Sequence, residues 1–123
     1  MYIVTGVSRG LGKAIVEELL VRNEIVIGIG RSHNFSHANF SFLECDLSQP
    51  NEIEKLKFPE FLDEVTLINN AGIIGNIKRL SDQIESDLQE VLNINVTSPI
   101  LLMKLIYSKI EDKSKFTVVN ISS

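Results

Sequence analysis

Apolar and polar positions follow two rhythms along this chain. Short apolar runs bounded by turn residues read as strands at Tyr2–Thr5, Glu24–Gly30, Phe40–Cys45, Glu64–Asn69 and Lys115–Ile121. Segments of helical spacing lie between them. Gly10–Arg22 is predicted to be a helix, with Leu11, Ala14, Ile15 and Leu19 on one face. A short helix is predicted over Gln49–Leu56 with Ser48 as its N-cap, and a long helical region over about Ser81 to Ile110. Arg31–Asn39, Pro59 and Asn76–Leu80 read as loops. The runs Ile25-Val26-Ile27 and Val65-Thr66-Leu67-Ile68 are continuously apolar, as in parallel strands covered on both faces. Strands alternating with helices predict an α/β fold, a doubly wound parallel sheet of order 3-2-1-4-5.

The first strand runs into Thr5-Gly6-Val7-Ser8-Arg9-Gly10-Leu11-Gly12. Glycine admits positive φ and close approach of a ligand to the backbone. The first N–H groups of the following helix point at whatever sits in the turn, and the helix dipole favours an anion there. Any tight strand-to-helix turn can use such glycines, so the turn alone does not define a site. Its spacing is Gly-x-x-x-Gly-x-Gly, and it lacks the Gly-Lys-Ser/Thr ending of a P-loop.

Arg9 lies inside this turn and Arg31 directly follows the second strand. A carboxylate at that strand end would bind ribose hydroxyls and repel a 2′-phosphate; Gly30-Arg31-Ser32 has none. Two guanidinium forks from neighbouring loops match a phosphate, which favours NADP(H) over NAD(H). A methyltransferase with a similar sheet would place an acidic residue where Arg31 stands. Asp46, ending the third strand, can accept from an adenine amino group or help cap the next helix. Asn70-Ala71-Gly72 follows the fourth strand at the same sheet edge, and its small residues leave room for a ribose. Pro99 cannot donate to the carbonyl of Asn95, so that carbonyl needs another donor, or the proline merely steers the helix.

The 123 residues suffice for one domain with a core, are 44% hydrophobic and 23% charged, and carry a net charge of −4. The acidic balance argues against nucleic-acid binding. Cys45 is the single cysteine and reads as a small core residue. His33 and His37 have helical spacing in a polar loop with no third ligand suggested, so no metal site is expected. No apolar run of about 18 residues is apparent, so no membrane association is expected and cytoplasm is the default. Ile100–Ile110 is apolar nearly all round, which predicts burial by the sheet on one side and a homo-oligomer contact, dimer or tetramer, on the other.

Taken in order, Thr5-Gly6-x-x-x-Gly10-x-Gly12, Asp46-Leu47, Asn69-Asn70-Ala71-Gly72, Asn95 within Asn93–Ser98, and Asn120-Ile121-Ser122-Ser123 resemble the short-chain dehydrogenase/reductase family. The subgroup most similar is the sepiapterin reductase and benzil reductase type. The resemblance covers the whole chain and implies a Rossmann-like NAD(P)-binding domain over residues 1–123, acting on a small carbonyl substrate. It implies that Gly6, Ser8, Arg9, Gly10, Leu11 and Gly12 cradle phosphates, with Arg31 and Ser32 at the 2′-phosphate. Asp46 and Leu47 would meet adenine, and Asn70, Ala71 and Gly72 would line the ribose. Asn95 aligns with the catalytic asparagine whose main-chain carbonyl holds a relay water. Ser123 aligns with the serine that orients the substrate carbonyl. The family's Tyr-x-x-x-Lys pair has no counterpart, since Tyr2 and Tyr107 lack lysine at that offset. The sequence therefore looks like the first half of a reductase, with an exposed fifth strand and poor solubility expected. Without that pair, a binding module that does not turn over is the alternative reading.

Overall fold

The computed structural model describes residues 1–59 and 63–122. The five apolar runs form one parallel sheet: β1 (Tyr2–Thr5), β2 (Val26–Gly30), β3 (Phe40–Glu44), β4 (Val65–Asn69) and β5 (Phe116–Asn120). Its order is β3-β2-β1-β4-β5, as the sequence predicts. In the centre of the sheet Ile3 pairs with Ile27 on one side and Leu67 on the other. The chain order reverses between β1 and β4, so loops leaving these adjacent strands diverge and leave a crevice.

Helix α1 (Gly10–Val21) packs on one face of the sheet. Its buried stripe is Gly12, Val16 and Leu20, with Ile15 and Leu19 half-buried beside it. Leu11 and Ala14, expected on that face, are exposed. The small Gly12 lets the first turn sit against β1, which rotates the contact stripe away from Leu11. Val4, Val7, Val26 and Ile68 complete this layer.

A long helix of three parts runs on the opposite face, and its third part supplies the buried cover. The parts are α2 (Glu85–Leu92), a π-helical turn (Asn93–Thr97) and α3 (Ser98–Lys109). It begins at Glu85, later than the expected Ser81, because Leu80–Asp82 forms a separate 3₁₀ turn. Leu102 and Ile106 of α3 meet Ile3, Ile29 and Leu67, all fully buried; each such side chain contributes about 1.5–3 kcal/mol. The continuous helix Glu85–Lys109 has 25 residues and is, by length and composition, long and apolar enough to cross a membrane, contrary to the sequence reading. In this fold Leu102 and Ile106 of its last part are buried on the sheet, while Leu88, Leu92, Val96 and Ile100 are exposed.

The β2–β3 connection is Arg31–Asn39, shorter than the dozen or so residues a helical crossover takes. Aromatic rings cover β3 instead. Phe35 lies 4.8 Å from Phe40, and His33 lies 5.2 Å from Phe40 and 4.4 Å from Phe42, between ring centroids. Gly28 makes room for them, since a Cβ there would come within 2.8 Å of the Phe40 ring.

Candidate functional site

The loops after β1, β2, β3 and β4 surround a cavity of about 580 Å³ at the carboxyl ends of the strands. Gly6, Ser8, Arg9 and Gly10 form one wall, and Arg31 and Ser32 a second. Asp46 and Leu47 form a third, and Asn70, Ala71 and Gly72 a fourth. The structure therefore brings together residues that lie up to 66 positions apart, as the Thr5–Ala71 contact shows.

Three glycines shape the first wall for different reasons. Gly6 has φ +71°, and a Cβ would also lie 3.0 Å from the Ala71 Cα. Gly10 has φ +60° with open space around it, so only the left-handed backbone requires glycine. Gly12 lies beneath the turn, where a Cβ would be 2.1 Å from the Gly6 carbonyl oxygen. Gly12 and the exposed Leu11 do not line the cavity. The N-terminus of α1 has no side-chain cap and no acidic residue in its first turn. Its free N–H groups and the Arg9 and Arg31 side chains make this end of the cavity suited to an anion.

The turn is held by side chains that reach across the crevice. The Thr5 hydroxyl accepts the N–H groups of Asn70 and Ala71, each at 3.0 Å. The Asn70 Nδ2 donates to the carbonyls of Thr5 and Gly6, each at 3.1 Å. The sequence motif contains Thr5 without assigning it a role; the signal for one is a hydroxyl that ends an otherwise apolar strand.

Asp46 accepts the Ser48 N–H at 2.9 Å, and its own N–H donates to Glu52 at 3.1 Å. Hydrogen bonds from Ser48, with the Arg31 charge assisting, hold the Asp46 carboxyl below the usual carboxylate range. The predicted helix over Gln49–Leu56 is a 3₁₀ helix, Pro50–Lys55, and neither Ser48 nor Asp46 caps it. Its N-cap position is Gln49, because Pro50 supplies the first helical φ. Cys45 is buried against the cavity, and burial, with Glu52 and Asp46 nearby, pushes its thiol up to about 11. It is a protonated packing residue at neutral pH.

The π turn brings Asn95 to the fourth wall. Its Oδ1 accepts the Ile73 N–H at 2.9 Å and its Nδ2 donates to the Ile73 carbonyl at 2.8 Å. Ile73 lines the cavity directly after Gly72. Pro99 lies inside the continuous helix directly after the π turn, so its missing N–H withdraws a donor from the preceding turn there. Two residues that sequence reasoning missed fasten this helix to the third wall. Asn93 donates to the Ser48 carbonyl at 3.0 Å, and the buried Ser98 hydroxyl donates to the Leu47 carbonyl at 2.7 Å. Glu90 and Ile94 also line the cavity. Ser123 lies outside the described residues.

The histidines serve the backbone. His33 Nδ1 accepts the Phe35 N–H at 3.1 Å and His37 Nδ1 accepts the Asn39 N–H at 3.0 Å. Among the described residues, no group of three metal-ligating side chains occurs. Tyr107 is away from the cavity, with the Lys113 ammonium 4.5 Å from its ring centroid.

The family profile for short chain dehydrogenase matches residues 1–123. The chain belongs to the short-chain dehydrogenase family. It is 35% identical to benzil reductase ((S)-benzoin forming) of Bacillus subtilis, over all of this chain and 54% of that protein. It is 33% identical to the 3-oxoacyl-acyl-carrier-protein reductase FabG of Buchnera aphidicola, over 98% of this chain and 54% of the relative. The chain thus spans about half the length of these curated relatives. A short-chain dehydrogenase family protein from Francisella tularensis superposes with TM-score 0.77 at 33% identity, over 99% of this chain and 50% of that one. The closed form of serine dehydrogenase complexed with NADP+ shares the fold, with TM-score 0.85 at 19% identity, over 99% and 53%.

Proposed function

We propose that this short-chain dehydrogenase chain is the NADP(H)-binding half of a cytoplasmic reductase that converts a ketone or diketone to an alcohol. The observation that carries the reading is the pairing of Arg9 and Arg31 around an uncapped helix N-terminus. The cradle fits the group: Gly10 leaves the backbone open to a diphosphate, Gly6 allows the close packing of the turn on Ala71, and small residues line the ribose side. Ser8, Arg9 and Gly10 would hold the phosphates, and Arg31 with Ser32 the 2′-phosphate. Leu47 would face the adenine and Asn70, Ala71 and Gly72 the ribose. When bound there, the nicotinamide cofactor would supply the hydride equivalent for reduction of a carbonyl carbon. Asn95 would keep the fourth wall in register through Ile73 and offer its main-chain carbonyl to a relay water. Ser123 would hydrogen-bond the oxygen on which charge develops. The outer face of the long helix would meet a second copy.

Arg31→Asp tests the reading. NADPH binding should weaken more than tenfold and NADH binding much less, since the loss of a guanidinium–phosphate bond is worth roughly 1.5–3 kcal/mol. Equal losses for the two nucleotides would remove the 2′-phosphate role. A second reading is a nucleotide-binding module that does not turn over. NADPH consumption with a diketone by a chain of verified 123-residue mass would exclude it.

A further inference from the structure

The segment that carries Arg31 and Ser32 has no helix to hold it. Among the described residues, Arg31–Ser36 makes one hydrogen bond, from the Phe35 N–H to His33 Nδ1. This is an i-to-i+2 bond of the kind that Asn and Asp side chains form in tight turns. An Nδ1 that accepts must carry a lone pair, so the imidazole proton is on Nε2. The ring is half-buried and lies on Phe40 and Phe42, which are fixed in β3 by pairing with Val26 and Gly28. Further along, the His37 turn and Asn39 tie the loop back, with Asn39 Nδ2 donating to the Asn23 carbonyl at 3.2 Å. The arm from Gly30 to His33 is thus pinned at β2 by the sheet and at His33 by an aromatic seat and a turn.

We propose that His33 is a positioning residue for nucleotide discrimination: the turn closed by its Nδ1 fixes the course of the arm that presents Arg31 and Ser32. The inference rests on the reading of Arg31 as a 2′-phosphate ligand. His33 does not line the cavity, so it acts through the backbone alone. An arm free to swing would leave Arg31 attached but unaimed. Binding of the shared adenosine part would be little changed, while the gain from the extra phosphate would shrink.

The test uses the full chain with two small probes, 2′,5′-ADP and 5′-AMP, by calorimetry, alongside thermal unfolding. His33→Phe keeps the ring and removes the acceptor; His33→Asn keeps an acceptor suited to the same turn. In His33→Phe the preference for 2′,5′-ADP should fall about tenfold, the size of one charge-assisted hydrogen bond, with 5′-AMP binding within about twofold. His33→Asn should recover most of the preference. An unchanged preference in His33→Phe, or equal weakening of both probes, overturns the proposal. Arg31→Ala separates the two levels. If it abolishes the preference while His33→Phe does not, the positioning role alone fails. If it leaves the preference intact, the reading beneath it fails too. A fold-independent check is the ¹⁵N spectrum of the ligand-free protein. The His33 ring should show the Nε2–H tautomer with a hydrogen-bonded Nδ1, and an Nδ1–H tautomer would overturn the arrangement.

Discussion

The crevice between β1 and β4 and the outer side of β5 lie on the same sheet and are built on opposite terms. At the crevice, Thr5 and Asn70 bond backbone across it, and Asn93, Asn95 and Ser98 bond the long helix to the loops after β3 and β4; among the described residues the buried Asn69 Oδ1 has no partner. At β5, Val119 and Ile121 point to the α1 face and are 39% and 40% exposed, beyond the reach of α1. Among the described residues β5 has no neighbour on its outer side. Leu88, Leu92, Val96 and Ile100 recur every four residues along the outer face of the long helix and are also exposed. Side chains bonded to backbone within the chain mark a part whose geometry is set largely by its own residues. An apolar face and an open strand edge mark parts that need another surface.

Breaking the crevice should have the largest effect. In Gly12→Ala the new Cβ would stand 2.1 Å from the Gly6 oxygen and 2.4 Å from Asn70 Nδ2. Both atoms are held, so the turn must move, and a loss of about 3 kcal/mol or more in urea unfolding is expected. Gly30→Ala is the control, because nothing lies within 4 Å of a Cβ there. Similar losses in the two variants would mean that the turn is not close-packed.

Thr5→Val comes next. It leaves two N–H groups without their acceptor at a residue only 2% exposed, at a cost of about 2 kcal/mol. Thr5→Ser should recover most of it; equal losses would assign the effect to packing.

The open side answers differently. Leu92→Glu and Ile100→Glu should change the unfolding free energy by less than about 0.5 kcal/mol, as surface substitutions do. Self-association measured by sedimentation equilibrium should nevertheless fall. Association that persists in the double variant would rule out the long helix as the contact between copies.

The contrast also explains what the sequence makes legible. Sheet order and the glycine turn are readable because their signals are local: apolar runs, and glycines a few residues apart. The ties that hold the crevice are not, because Ser98 and Leu47 are 51 positions apart and Asn93 and Ser48 are 45 apart. A serine before a proline in an apolar helix hints at a buried role without naming its partner. The face of α1 was misplaced by a cause of the same kind. Leu11 is apolar, but the contact of Gly12 with Gly6 turns it outward. Near Asn95 the fold has a π turn, a feature no local sequence signal specifies, and the Asn95 side chain bonds Ile73 there.

The smallest effect compares two turns of the same sequence pattern, one on each side. Asp46 bonds Ser48 and Asp112 bonds Ser114, and these bonds are the leading reason both carboxyls lie below their usual range. Arg31 adds to the lowering at Asp46, whereas Lys115 does so at Asp112. A folded pKa below the unfolded value means that each turn's contribution is present above the ordinary carboxylate range near 3.8 and is lost as pH falls through the folded pKa. Carboxyl ¹³C titration should therefore show Asp46 rising toward 3.8 in Arg31→Ala, with Asp112 unmoved. Added salt should produce part of the same rise in the unsubstituted protein, because the arginine acts through a screened field while Ser48 acts by direct bonding. If Asp46 stays in place in Arg31→Ala, the guanidinium does not reach over the third wall, and its aim toward a phosphate must come from the β2 arm alone.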